Sequence, residues 1–394
     1  MNLLRKITLI IVVLVVFAAS VLITILPSLY ENELNKVLPS SGAPSNQALE
    51  LHKTLDVCDL HADSLLWDRN LNKKTVRGHV DIPRLIEGNV AIQTFSIVTK
   101  VPKGLNIHSN DANSDEVTLL AMIQIWPVDT WIGLKPRLLY QANKLHKFAR
   151  GSKGKFSVIE SVKDLESYLQ SRKSNPEQTA GILAVEGSHA LEGNLDNIDL
   201  FFDNGIRMMA PTHFFDNELG GSAHGIKKNG LTEFGKNCIK KMQEKSIIVD
   251  LAHASHAVIR DVLKISKKPV LVSHTGVKGT CNNQRNLTDA EIRGVASTGG
   301  LIGIGYWSTA VCGSDVPSIA KAIKYTAKIA GVEHVALGSD FDGAVTVPFD
   351  TSKLVLVTDA LLKQGFNEKE IRLIMGENYI NLLRKELPSE PKQE

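Results

Sequence analysis

Eight short apolar runs, many of them β-branched, recur along this chain, and they constrain its fold more than any other feature. They are LDVCDLH (55–61), VAIQTFSIV (90–98), TAGILAVEG (179–187), GIRMMAPTH (205–213), SIIVDLAH (246–253), KPVLVSHT (268–275), GLIGIGYW (300–307) and HVALGSDFDG (334–343). Near-continuous apolar runs suit strands buried on both faces, as in a parallel sheet. Between many of them lie segments with apolar residues at helical spacing: 232–245, 255–266, 288–298 and 316–331. Several begin after a Ser or Thr suited to cap a helix. Residues 367–387 add a strongly amphipathic helix. Strands alternating with helices predict an α/β fold, a (β/α)8 TIM-type barrel, with 99–178 as an insertion between the second and third strands. The competing fold, a doubly wound open sheet, would carry a Gly-rich phosphate loop after a strand, and none is convincing here.

The N-terminus has its own logic. Arg5 and Lys6 precede ITLIIVVLVVFAASVLITIL (7–26), a run without a charge. About 20 such residues span a bilayer core as a helix. Basic residues ahead of the span put residues 1–6 in the cytoplasm and the rest outside. A cleaved signal peptide is the rival reading. Its apolar region is usually shorter, and here apolar residues continue past the one small cluster, AAS at 18–20. The expected organisation is therefore a transmembrane signal anchor at 7–26 and a linker over 27–47. One (β/α)8 domain follows from 48 to 386, then a disordered polar tail from 387 to 394. The barrel domain would sit on the periplasmic or extracellular side of the cell membrane.

Composition removes other classes. A net charge of +3 with no basic domain speaks against nucleic acid as a partner. The four cysteines, Cys58, Cys238, Cys281 and Cys312, form no C-x-x-C pair, so they suggest neither a zinc ribbon nor a disulfide scaffold. An isolated disulfide stays open.

Six of the eight runs end in His, Asp or Glu. The first ends in His61 and Asp63, the third in Glu186, the fourth in His213, the fifth in His253, the sixth in His274, and the eighth in Asp340 with Asp342. In a parallel barrel all strand C-termini open on one face, where active sites lie. A lone histidine at a strand end is most often structural; six polar ends on one face point to a shared site. Three histidines (His61, His253, His274) and two carboxylates (Asp63, Glu186) exceed what one tetrahedral zinc needs. Two metals sharing a bridging carboxylate would use all five. Nitrogen and oxygen ligands without thiolate suit Zn first, with Mn or Co as alternatives.

The motifs DLHAD, GHVDIPRLIEGNVAIQTFS, VEGSHAL, APTHFFDNELGGSAHG, GLTEFGK, VDLAHAS, VSHTG, QRNLTD and GSDFDG occur in that order. With them the chain resembles the membrane dipeptidase (renal dipeptidase) family of zinc peptidases, peptidase family M19. The resemblance implies a binuclear zinc dipeptidase, with two zinc ions per subunit bridged by Glu186. His61 and Asp63 would bind one ion, and His253 and His274 the other. His213 would contact the substrate and the developing oxyanion. Arg285 would hold the substrate carboxylate, and Asp340 would be the general acid/base. It also suggests a homodimer. Segment 99–178 and the tail match less clearly, so the resemblance leaves substrate preference open.

The implied chemistry agrees with the residues. A bridging hydroxide would attack the carbonyl carbon of a dipeptide. Asp340 would pass the water's proton to the leaving amine, and the planar fork of Arg285 suits a carboxylate. His189 reads as structural or as support for the site. Asp250 and Asp216 are candidates for orienting imidazoles. His224 is a candidate pocket residue, and Gly220 and Gly221 shape backbone. Two further functions compete. One is a related binuclear hydrolase of the amidohydrolase type acting on lactams, lactones or N-acyl amino acids. The other is a catalytically silent scaffold, disfavoured because no expected ligand is missing.

Overall fold

All eight runs become strands. In the computed structural model, which describes residues 3–39 and 42–390, they are β1 (Val57–Ala62), β2 (Val90–Val98), β4 (Thr179–Glu186), β5 (Ile206–Met209), β6 (Ile248–Asp250), β7 (Val270–Thr275), β8 (Leu301–Ile304) and β9 (Val335–Leu337). Every residue in them is buried, as expected of strands covered on both faces. They pair in parallel in the order β2-β1-β9-β8-β7-β6-β5-β4, and a β2–β4 ladder closes the barrel. That ladder runs from Ile92↔Ala180 to Val98↔Glu186, so the closing seam ends at Glu186.

The insertion 99–178 is structured. It holds helices Glu116–Ile123, Leu134–Gly151 and Val162–Ser174 and a short strand, β3 (Phe156–Val158), that the sequence reading did not anticipate. β3 pairs with the first residues of β4, ahead of the point where β5 joins. Three residues with one exposed position carry too little periodicity to be recognised as a strand.

Helix starts follow the expected caps. Thr232, Ser255 and Thr288 each accept a backbone N–H three residues on, and Thr288 forms a capping box with Glu291. The helix expected over 367–387 is divided: Glu368–Arg372 and Asn378–Glu386 flank a π-helical turn, Leu373–Glu377. There the backbone comes so near β1 that a Cβ on Gly376 would lie 1.8 Å from the Asp56 carbonyl oxygen.

The two ends differ from expectation. Leu3–Leu34 forms one helix, α1, so the first part of the expected linker 27–47 is helical. Residues beyond α1 bond to the barrel, Val37 bridging to Val347. Residues 40 and 41 lie outside the described residues. Among the described residues no helix is long and apolar enough to cross a membrane. Side chains at 18, 19 and 22–24, within the apolar run 7–26, lie outside that set. The tail expected to be disordered is bonded as far as Glu390: the Ser389 carbonyl accepts from Lys163 N at 3.2 Å, and Lys163 Nζ donates to Glu390 at 2.8 Å. Residues 391–394 are outside the described set.

Candidate metal centre and active-site cleft

His61, Glu186 and His274 sit in the last two positions of β1, β4 and β7, and His253 follows β6. Parallel strands therefore deliver them to one end of the barrel. Glu186 is central. Its Oε1 lies 2.8 Å from His253 Nε2 and 3.3 Å from His274 Nε2. Its Oε2 lies 3.6 Å from His61 Nε2 and 3.4 Å from His213 Nε2. Asp63 Oδ1 is 3.5 Å and Asp340 Oδ1 3.9 Å from His61 Nε2. One carboxylate thus stands between two groups of ligand atoms, all buried. Arg285 is buried beside them, donating to the His274 carbonyl at 2.7 Å.

This cluster fits divalent cations. Both Glu186 oxygens, His61 Nε2 and Asp63 Oδ1 are buried without a hydrogen-bond partner. Such orphaned groups cost about 1–3 kcal/mol each unless something else satisfies them. The Nε2 atoms of His253 and His274 meet at 2.8 Å, ring edges facing one another where a cation would accept both lone pairs. Groups His61–Glu186–His274, Glu186–His213–His253 and His61–Asp63–Asp340 each bring three ligand atoms close enough to share an ion.

Electrostatics follow from burial. Burial holds His253, His274 and His213 well below the ordinary histidine range, so all three are neutral and can act as ligands or hydrogen-bond partners. Burial pushes Glu186 up to about 7, with the Asp63 charge adding to it. At His61 burial pulls downward, but the Glu186 and Asp63 carboxylates outweigh it and hold the imidazole well above its usual range. Burial lifts Asp340 well above the carboxylate range, against the attraction of His61 and with Asp63 and Glu186 reinforcing it. A carboxyl so placed can carry a proton near neutral pH.

The support differs from the sequence reading. Neither Asp250 nor Asp216 touches an imidazole. Asp250 accepts from Ala252 N and Ser273 N, both at 2.9 Å, and Asp216 accepts from Ser222, Lys227 and Lys228 N in the glycine-rich loop. The hydroxyl of Ser273 takes the orienting place instead, 3.3 Å from His61 Nδ1 and 3.0 Å from His274 Nδ1. Asp59, also missed, accepts from His61 N at 3.1 Å and from Ser339 N at 3.0 Å, joining β1 to the end of β9. Ser273 stands beside His274 in VSHT and Asp59 two before His61 in DLH; adjacency to a ligand was the only signal. His189 bonds Thr99 Oγ1 at 2.9 Å, a structural place. His224 lines the cleft and bonds the Ile107 carbonyl at 3.0 Å. A Cβ on Gly221 would lie 2.4 Å from Asn229 O, so backbone approach requires the glycine.

The cluster opens into a cleft of about 420 Å³. Asp63, Glu186, His213, His253, Arg285 and Asp340 form its polar floor, and Leu66, Trp67, Val98, Phe214 and Trp307 are among its apolar walls. Tyr30 and Leu34, from the end of α1, complete one side. Cys281 and Cys312 form a disulfide that ties the loop carrying Arg285 to the loop after β8; Cys58 and Cys238 are free and buried.

Fold and site together define a (β/α)8 barrel with a buried histidine–carboxylate cluster at the C-terminal ends of its strands. The chain belongs to the membrane dipeptidase family, peptidase family M19, whose profile matches residues 45–394. Solved structures share the fold. Dipeptidase AC, a metallo peptidase of family M19, superposes with a TM-score of 0.71 at 23% identity over 85% of this chain and 99% of that one. A metallo peptidase from Rhodobacter sphaeroides, liganded with a phosphinate mimic of the dipeptide L-Ala-D-Ala, gives 0.68 at 23% identity, covering 84% and 99%. The probable dipeptidase PvdM from Pseudomonas aeruginosa gives 0.71 at 17% identity, covering 86% and 97%.

Proposed function

We propose that this protein is a two-zinc dipeptidase held by residues 7–26 on the outer face of the cell membrane. Family membership supports a metallopeptidase. The observation that carries the binuclear reading is the Glu186 carboxylate, unpartnered by hydrogen bonds and set between His253 and His274 on one oxygen and His61 and His213 on the other. His61 and Asp63 would hold one ion, His253 and His274 the other, with Glu186 shared. A pair of divalent cations would acidify water and polarise the scissile carbonyl.

The chain's own residues supply the rest. Asp340 takes the proton of the attacking water and returns it to the leaving amine. Neutral His213 faces the position where the oxyanion develops. Arg285 pairs with the free carboxylate of a short peptide, which selects for dipeptides. Zinc analysis of the purified protein, with dipeptide hydrolysis assayed before and after chelation, tests this reading. About two zinc ions per chain and loss of activity on chelation are expected; full activity without metal defeats it.

The anchor rests on the uncharged run 7–26, and the Cys281–Cys312 disulfide supports an oxidising compartment. Carbonate extraction and protease protection of membranes test it. One observation favours a second substrate class: the apolar walls of the cleft suit the acyl chain of an N-acyl amino acid. Higher kcat/KM for N-acyl amino acids than for any dipeptide would establish that reading instead. A homodimer, suggested by the resemblance alone, is testable by light scattering.

A further inference from the structure

The loop after β9 is held in an unusual conformation. Asp340, Asp342 and Ala344 all have left-handed backbones, with φ of 61°, 63° and 58°. Each costs a non-glycine residue about 1 kcal/mol or more and persists only where the surroundings enforce it. Part of that enforcement comes from outside the barrel. The buried Glu31 carboxylate of α1 pairs with Arg69, and Arg69 pairs in turn with Asp342. Arg77 Nε also donates to Glu31, at 2.6 Å. Just beyond α1, Asn35 Oδ1 accepts from Ala344 N at 2.9 Å. Val347 N donates to the Lys36 carbonyl at 2.9 Å, and Leu38 N to the Val347 carbonyl at 2.8 Å. Tyr30 and Leu34, on the same segment, line the cleft. The family profile begins only at residue 45.

We infer that residues 30–38 form a strap upstream of the family domain that holds the Asp340 loop in working geometry and walls the substrate cleft. Glu31 and Asn35 are its positioning residues, and Tyr30 and Leu34 its specificity residues. A surface helix gains nothing from burying an unpaired carboxylate, so the placement of Glu31 is explained by the arginines it meets. The inference rests on the hydrolase reading for its kinetic consequences but not for its structural ones.

The test uses the full-length, zinc-loaded protein. Glu31→Ala and Asn35→Ala are expected to lower kcat about ten- to a hundredfold with KM nearly unchanged, since a misplaced proton donor affects only the transition state. Bound metal should stay at the wild-type level. Amide exchange over 338–347 should speed up while 248–275 keeps its protection. Glu31→Gln, which keeps the side-chain volume, covers the case in which Glu31→Ala does not fold. Leu34→Ala and Tyr30→Ala should instead raise KM for dipeptides with a large apolar N-terminal residue relative to Ala-containing ones. Wild-type kcat together with unchanged exchange at 338–347 overturns the strap, as does a loss of protection that extends across β6 and β7. If the wild-type protein hydrolyses no carbonyl substrate, the functional reading fails, and the exchange at 338–347 decides the strap alone.

Discussion

The two halves of the candidate site are built differently. His61, Glu186 and His274 lie within β1, β4 and β7, strands that each pair in parallel with a neighbour on either side. Asp340 lies beyond the end of β9, in a loop that meets β1 only through a single bridge, Ala62 to Phe341, with Asp63 N donating to the Phe341 carbonyl at 2.9 Å. Groups from segments distant in sequence hold that loop. Ser64 Oγ donates to Asp342 at 2.6 Å, His79 N donates to it at 2.5 Å, and Arg69 pairs with it. Asp342 N donates in turn to His79 Nδ1 at 2.9 Å. Close packing completes the loop, for a Cβ on Gly343 would lie 2.1 Å from Asp340 Oδ1. A ligand on a ladder tolerates the loss of one neighbour, because the repeated backbone bonds remain. A group on a loop pinned by buried charges depends on each pin.

The comparison can be broken most severely at its centre. Glu186→Gln should remove the shared carboxylate and lower both bound metal and kcat/KM, the latter by about a thousandfold or more. Metal analysis beside kinetics checks this; full metal occupancy would mean that Glu186 is not a ligand. Asp340→Asn should cost about a hundred- to ten-thousandfold in kcat while leaving metal content unchanged, because it removes proton transfer but not a strand-borne ligand. Loss of metal in that variant would show that the loop and the ladder side are one unit. Ser273→Ala should weaken metal binding by about ten- to a hundredfold, with kcat at saturating metal nearly restored. Competition with a chromogenic chelator reads that affinity.

The smallest effect separates the halves by pH. Burial lowers His79 to about 4, and His189 and His224 to about 3. The unfolded chain protonates these histidines below its ordinary pKa of about 6.5, whereas the native chain does not. Protons therefore favour unfolding. For His79 the contribution is undiminished above pH 6.5, falls as the pH drops toward about 4, and changes no further below that. At pH 6 the loss from His79 is below about 1 kcal/mol. Urea melts of the wild type and His79→Gln at pH 7.5, 6 and 5 should show a shallower pH slope in the variant. Equal slopes would remove His79 from the pins that acid releases.

Much of this arrangement is legible in the primary structure. Apolar runs of strand length with a polar residue at the end predict both the barrel and the face on which His61, Asp63, Glu186, His213, His253, His274 and Asp340 gather. The caps at Thr232, Ser255 and Thr288 are local signals that the structure reproduces. Each position that was missed has at least one partner remote in sequence. Asp59 acts on Ser339, Ser273 on His61, and Glu31 on Arg69. Asp250 and Asp216 are only candidates for orienting imidazoles in the sequence, and they bond backbone N–H groups instead, because composition names acceptors without saying which donors the fold brings to them.

By itself, then, the sequence determined the strand and helix periods, the helix caps and the set of residue types offered at the strand ends, because each depends on contacts within a few residues. Tertiary structure alone decided that Ser273, and neither Asp250 nor Asp216, meets two of the imidazoles, and that a segment before the family domain holds the loop of Asp340. Those are contacts between groups brought together only when the barrel closes, and no local pattern encodes which partner a buried polar atom meets.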